Sequence, residues 1–273
     1  MKVLKIVIVT FLFLLLGYFG IQSFQYAKKY EKSTSTIAKL CDIDGLAQSK
    51  LDKLKSTISF GFIENKTKMK LDKLKKEQSK YNKLSKYNLY YFIATLITLL
   101  LFSIICSQMT TIFAISSLIS LIFGLVNPVL MVTIHKDIEY LGDIILSFES
   151  KGILGSIIKL FENSEYAVGG AILLFSVVIP LSKILIIIFA LIFRNFTFSY
   201  KIINIFKHLG KWSMLDVFVV AILLVYLTSN NSDVSHAQIQ IGLYYFLIYV
   251  ILSMITTIKV DYILTNSTLS SNR

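Results

Sequence analysis

LYYFIATLITLLLFSIICSQMTTIFAISSLISLIFGLVNPVLMVTI, Leu89 to Ile134, is a run of 46 residues without a formal charge. As a single helix rising about 1.5 Å per residue it would be roughly 69 Å long, over twice the hydrocarbon thickness of a bilayer. The stretch is therefore expected to cross a membrane twice. The polar dip at Ser107-Gln108-Met109-Thr110-Thr111 is the expected turn, which places one span over 89–107 and the next over 112–131, with Asn127-Pro128 near its end.

The same reading extends outward. The chain has 273 residues, is 55% hydrophobic and has a mean hydropathy of +0.69, and uncharged runs recur along it. The segments lack the short alternation of barrel strands, so helices are the economical way to satisfy backbone groups in lipid. The expected fold is all-α, a polytopic helical membrane protein with about six transmembrane helices. The other spans fall at Ile6–Phe24, Val168–Phe193, Trp212–Thr228 and Gln238–Ile258, the last closed by Lys259. The first is short and leucine-rich like a signal peptide, but no small-x-small cleavage site follows it, which favours a retained anchor.

Residues 25–88 are different. They carry sixteen lysines against seven acids, and KLDKLK occurs twice, at Lys50 and Lys70. Leu51, Leu54 and Ile58, then Leu71, Leu74 and Leu84, fall near helical spacing. A lysine-rich helical or coiled-coil-like extramembrane segment is expected, folded as a hairpin with a turn near Phe60 to Asn65. A solvated spacer is the plainer reading and outweighs a binding site. The net charge of +12 concentrates here. Anionic membrane lipids are a natural counterpart, and no nucleic-acid partner is expected. Residues 135–166 carry six acids and three lysines. Ile153, Leu154, Ile157, Ile158, Leu160 and Phe161 predict a short amphipathic helix on the membrane surface.

Orientation follows from RNFTFSYKIINIFKHLGKW, Arg194 to Trp212, which has basic residues and no acid. The positive-inside rule puts it in the cytoplasm, with 135–166 and 229–237 outside. Six spans then place both termini inside and the lysine-rich segment outside, against the simple rule. That rule weakens above about 60 translocated residues.

Outside loops and ends, two formal charges remain in the predicted spans: Lys183 and Asp216. A charge at a helix centre costs roughly 3 kcal/mol on the insertion scale, and such groups usually face the bundle interior and find a partner. Opposite signs on adjacent spans suggest an intramembrane pair. Asp216 lies about 7 Å along a helix beyond Lys211, and Lys183 about 16 Å before Arg194. Tilt, an earlier start of the fifth span or a kink at Pro180 would close the difference. The plainer alternative has Asp216 neutralising Lys211 or serving the positive end of its helix, which leaves Lys183 unexplained. Ser253, Thr256 and Thr257 share one face of the last span and would extend the polar network, and Ser176 and Ser182 flank Pro180. Hydroxyls in membrane helices are more often satisfied by their own backbone. Pro128 is a second candidate kink.

Cys41 and Cys106 form no CxxC pair, and His135, His208 and His236 are scattered, so neither a metal nor another cofactor is expected. HExxH, GxSxG and glycine-rich phosphate loops are absent, so no enzymatic activity is expected.

The run GKWSMLDVFVV, Gly210 to Val220, resembles the paraquat-inducible protein A family, with Lys211, Trp212 and Ser213 as the interface motif that opens the span. PLSK, Pro180 to Lys183, in AILLFSVVIPLSKI is similar to the family's second core span, and Asn127-Pro128 with Met131 to the end of its first. The resemblance covers about 108–262, one four-helix module. It divides the chain into an anchor (1–24), the lysine-rich segment (25–88), an additional span (89–107), the module and a tail (263–273). It implies a multi-pass protein of the bacterial inner (cytoplasmic) membrane that works with a periplasmic MCE-domain protein to move phospholipid and support envelope integrity. It also implies that Lys183 and Asp216 suit proton-coupled movement. The CxxC zinc ribbons and second module of longer members are missing here, so zinc is not implied. An anchor or assembly subunit that binds a periplasmic partner through 25–88 is the competing reading.

Overall fold

The computed structural model describes residues 2–40, 66–105, 109–138, 142–192 and 235–271. Among these residues five helices are long and apolar enough to cross a membrane. The fold is a helical, multi-pass membrane protein. The sixth expected span, Trp212–Thr228, lies outside the described residues.

Helix α1 (Lys2–Leu40) and helix α2 (Lys66–Ile105) are each continuous across the change from apolar to lysine-rich sequence. Lysine is a good helix former, so the change in polarity does not end the helix. The two pack antiparallel. Ser23 Oγ donates to the Ser85 carbonyl at 3.1 Å and Ser85 Oγ returns a bond to the Ser23 carbonyl at 3.3 Å, both serines being buried. Gln78 donates to Thr34 Oγ1 at 2.8 Å, and the rings of Tyr26 and Tyr81 and of Phe19 and Tyr91 stack. The two helices make a hairpin of their own, while the first arm (Leu51, Leu54, Ile58) and the turn near Phe60 to Asn65 of the expected one lie outside the described residues.

Helix α3 (Met109–Val126) returns across the bilayer. It ends where the residue before a proline must leave the α region: Asn127 Nδ2 donates to the Phe123 carbonyl at 2.8 Å, and Pro128 opens a strand. Here the structure departs from the expected 112–131 span and from Pro128 as a helix kink. Strands β1 (Pro128–Ile138) and β2 (Gly142–Gly152) pair antiparallel, and β3 (Ser235–Ile239) joins the other edge of β1. The order β2-β1-β3 joins the chain that follows α3 to the chain that precedes the last helix in one small sheet.

The amphipathic helix is found as α4 (Ile153–Glu162). After it α5 (Tyr166–Leu173), a π-helical turn (Leu174–Val178) and α6 (Ile179–Ile192) form one crossing, and α7 (Ile241–Ser271) forms the last. Phe92 meets Phe123 at 6.1 Å and Tyr245 at 4.8 Å between ring centroids, and Phe123 packs on Gly20. Residues 20, 92, 123 and 245 therefore stand at one depth. The lysine-rich part of the α1–α2 hairpin and the sheet lie on the same side of the membrane.

Exposed large side chains recur along the helices: Ile6, Val7, Phe11, Leu14, Tyr18 and Ile21 on α1, and Tyr244, Leu247, Ile251, Met254 and Ile258 on α7. Spacings of three and four make these lipid-facing stripes, since in a bilayer apolar residues belong outside as well as inside.

Candidate functional site

The site is built on the α5–α6 crossing. Proline has no N–H to donate and its ring collides with the carbonyl four residues back, which for Pro180 belongs to Ser176. The helix answers with the π turn just before it: the Ile179 N–H reaches the Leu174 carbonyl, five residues back. Ser176, Pro180, Lys183, Ile184 and Ile187 then form a single buried stripe. Lys183 is only 2% exposed, so it faces the bundle interior and not the lipid. Lys183 is not without a partner.

The wall opposite this stripe comes from α3 and α7. Ile184 packs with Leu121, Leu125, Phe246, Tyr249 and Val250, and Ile187 with Ala114 and Val260. Lys183 directly precedes Ile184 and so enters the bundle beside this wall of α3 and α7. The helices α3 and α7 run antiparallel and close: a Cβ on Gly124 would lie 2.9 Å from the Phe246 backbone nitrogen, and at the far end Lys259 Nζ is 2.8 Å from Met109 Sδ and 5.6 Å from the Phe113 ring centre. That register sets Ser117 opposite Ser253. Ser116, Ser120 and Gly124 repeat every four residues, a small-residue seam that lets two backbones approach.

Ser253, Thr256 and Thr257 are all buried on the expected face of α7. Thr256 donates to the Leu252 carbonyl at 2.6 Å and Thr257 to the Ser253 carbonyl at 2.8 Å, so these two threonine hydroxyls serve their own helix. Ser182 is exposed and does the same with Ile179 at 3.0 Å. Ser253 is different: with Ser116 and Ser120 its oxygen meets no hydrogen-bond partner among the described residues. The sequence reading had not included Ser116, Ser117 and Ser120, whose signal was their helical spacing with Gly124 inside an apolar run. Asp216, Lys211, Trp212 and Ser213 lie outside the described residues. Among the described residues no cluster of His, Cys, Asp or Glu could hold a metal ion.

A second junction sits at the membrane surface. Asn127 is fully buried, and a Cβ on Gly242 would lie 2.7 Å from its carbonyl oxygen and 2.6 Å from that of Pro128. The Gln240 N–H donates to the Val129 carbonyl at 3.0 Å. The start of α7, the end of α3 and the sheet are thus joined backbone to backbone. The interior arrangement is a buried cation on α6 in a bundle that also buries hydroxyls on α3 and α7. It can counter a carboxylate or another anion where the lipid offers nothing.

The profile described as "Paraquat-inducible protein A" matches residues 107–265, more than half of the chain. A curated relative from Haemophilus influenzae, named as a probable intermembrane transport protein, is 25% identical over 115 residues, which is 40% of this chain and 27% of the relative. The match thus spans about a quarter of that relative's length. No solved structure matches.

Proposed function

The chain belongs to the paraquat-inducible protein A family, and from that membership we propose that it is the inner-membrane subunit of an MCE-type system that moves phospholipid between the inner and outer membranes. The observation that carries the reading is Lys183, a charge held inside the bundle on an apolar crossing of the family-matched module. A lysine kept there at a cost of roughly 3 kcal/mol on the insertion scale points to function, because packing would be better served by leucine. The name of the Haemophilus relative supports transport as the class of activity. In this reading Lys183 and Asp216 form the intramembrane pair, and loss or gain of a proton by the pair alters the packing of α6 against α3 and α7. The partner is a periplasmic MCE-domain protein, and neither catalysis nor a cofactor is involved.

The test replaces each charge with a neutral side chain of similar size. With normal insertion and abundance, Lys183→Met and Asp216→Asn are each expected to reduce lipid traffic at least tenfold and to weaken the envelope, while the double variant is no worse than either single one. Normal traffic in both single variants would remove the pair from the mechanism.

A second reading has one observation in its favour. The α1–α2 hairpin projects roughly 25 Å beyond the bilayer, which suits an anchor or assembly subunit that grips a periplasmic partner. Deleting 25–88 separates the two: an anchor loses its partner, and a transporting core still holds lipid.

A further inference from the structure

A cleft of about 690 Å³ opens where the hairpin leaves the membrane. Lys28, Lys29 and Lys32 of α1, Ser150 of β2 and Lys159 of α4 line it, with Glu31 as the acid among them. We propose that this cleft binds the phosphate of an anionic phospholipid headgroup. The proposal rests on the lipid-handling reading for its purpose only; binding itself stands on the cleft.

Three observations converge. The first is charge: lysines from two elements that are remote in sequence line one open surface cleft. An entering anion relieves the repulsion among the three α1 lysines, which Glu31 alone offsets only in part. The second is order. Lys28 Nζ stands 5.1 Å from the centre of the Phe24 ring, and Lys29 Nζ lies 5.5 Å from that of Tyr26 and 5.8 Å from that of Tyr81. Ring faces hold the ammonium groups of both, so less side-chain freedom is lost on binding.

The third observation is depth, and it selects a lipid over a soluble anion. Ile21 is the last large apolar side chain exposed along α1, and Lys28 follows it by about 10 Å of helix. A lysine arm from there reaches the headgroup layer. On α4, Leu154, Ile158 and Phe161 are exposed at successive turns, and Tyr166 and Val168 continue the apolar surface. Lys159 follows Ile158 directly. The element that supplies a cation to the cleft therefore also offers acyl chains an apolar face. Inorganic phosphate would use the lysines and leave that face bare.

The test uses the full chain in mixed micelles that contain equal phosphatidylglycerol and phosphatidylcholine, with retained lipid counted by native mass spectrometry. The unaltered protein is expected to retain phosphatidylglycerol in excess. Lys28→Gln/Lys29→Gln/Lys32→Gln should lower that preference roughly tenfold or more. Lys159→Gln, on a separate element, should lower it in the same direction, and Glu31→Gln should raise it. The control Lys80→Gln/Lys83→Gln/Lys86→Gln removes three exposed charges from the α2 side of the same hairpin and should stay within about twofold of the unaltered protein. Inorganic phosphate at matched ionic strength should leave the retained lipid unchanged.

Equal losses in the two triple variants would assign the preference to diffuse charge and overturn the cleft. An unchanged preference in the cleft variants would overturn it as well. Displacement of the lipid by inorganic phosphate would make it a site for a soluble anion. None of these outcomes touches the transport reading, which stands or falls on Lys183→Met and Asp216→Asn.

Discussion

At the scale of single residues, two positions show why small changes matter in this bundle. Gly242 faces the carbonyl oxygens of Asn127 and Pro128, and a methyl group placed there would sit 2.7 and 2.6 Å from them. Backbone cannot swing aside as a side-chain tip can. Gly242→Ala is therefore expected to lower stability by about 1–3 kcal/mol, measured as an earlier unfolding transition in detergent; an unchanged transition would mean that α7 and the α3–β1 junction are not in contact. Lys183 makes the opposite point. Its burial was readable from the sequence, because a charge within an apolar span has few places to go. The need for glycine at 242 was not readable, since it depends on carbonyls more than a hundred residues away. Thr256 and Thr257 fall between: their buried face followed from spacing, but their bonds go to their own backbone.

At the scale of elements, periodicity and length placed the crossings that fall among the described residues, and α4 emerged from its apolar spacing. The hairpin expected within 25–88 had its first arm near Leu51 to Ile58, outside the described residues; the pairing found is of α1 with α2 and rests on their reciprocal serine bonds. In a chain with Cys41 and Cys106 replaced by serine, Ser23→Cys/Ser85→Cys should form a disulfide readily under mild oxidation, while Ser23→Cys/Ser79→Cys should not. A gel that resolves the cross-linked chain reads this, and the reverse pattern would shift the register. What the sequence reading missed was the sheet. Length alone extended the third span to residue 131, yet Asn127-Pro128 ends the helix, and the β-branched cluster of Val129, Val132, Thr133 and Ile134 favours a strand. An uncharged run carries both signals, and hydropathy hides the second. The strand β3 is harder still, because its five residues are recognisable only once β1 lies beside them.

At the scale of the whole molecule, three bodies meet at one membrane face: the polar bundle, the sheet that gathers the ends of its helices, and the hairpin that rises beside them. The depth shared by Gly20, Phe92, Phe123 and Tyr245 puts sheet and hairpin on the same side, as the six-span topology requires. In the function proposed above, with the basic sequence 194–211 on the cytoplasmic side, that side would be the periplasm, where a partner would meet both. The central claim is that this assembly hands phospholipid to such a partner. Its most direct test is to tag the C-terminus, extract the protein from its native membrane in mild detergent and identify by mass spectrometry what accompanies it. The expected result is a periplasmic MCE-domain protein together with bound phospholipid. Well-folded protein that carries neither would contradict the claim and leave the likeness to the family as one of fold.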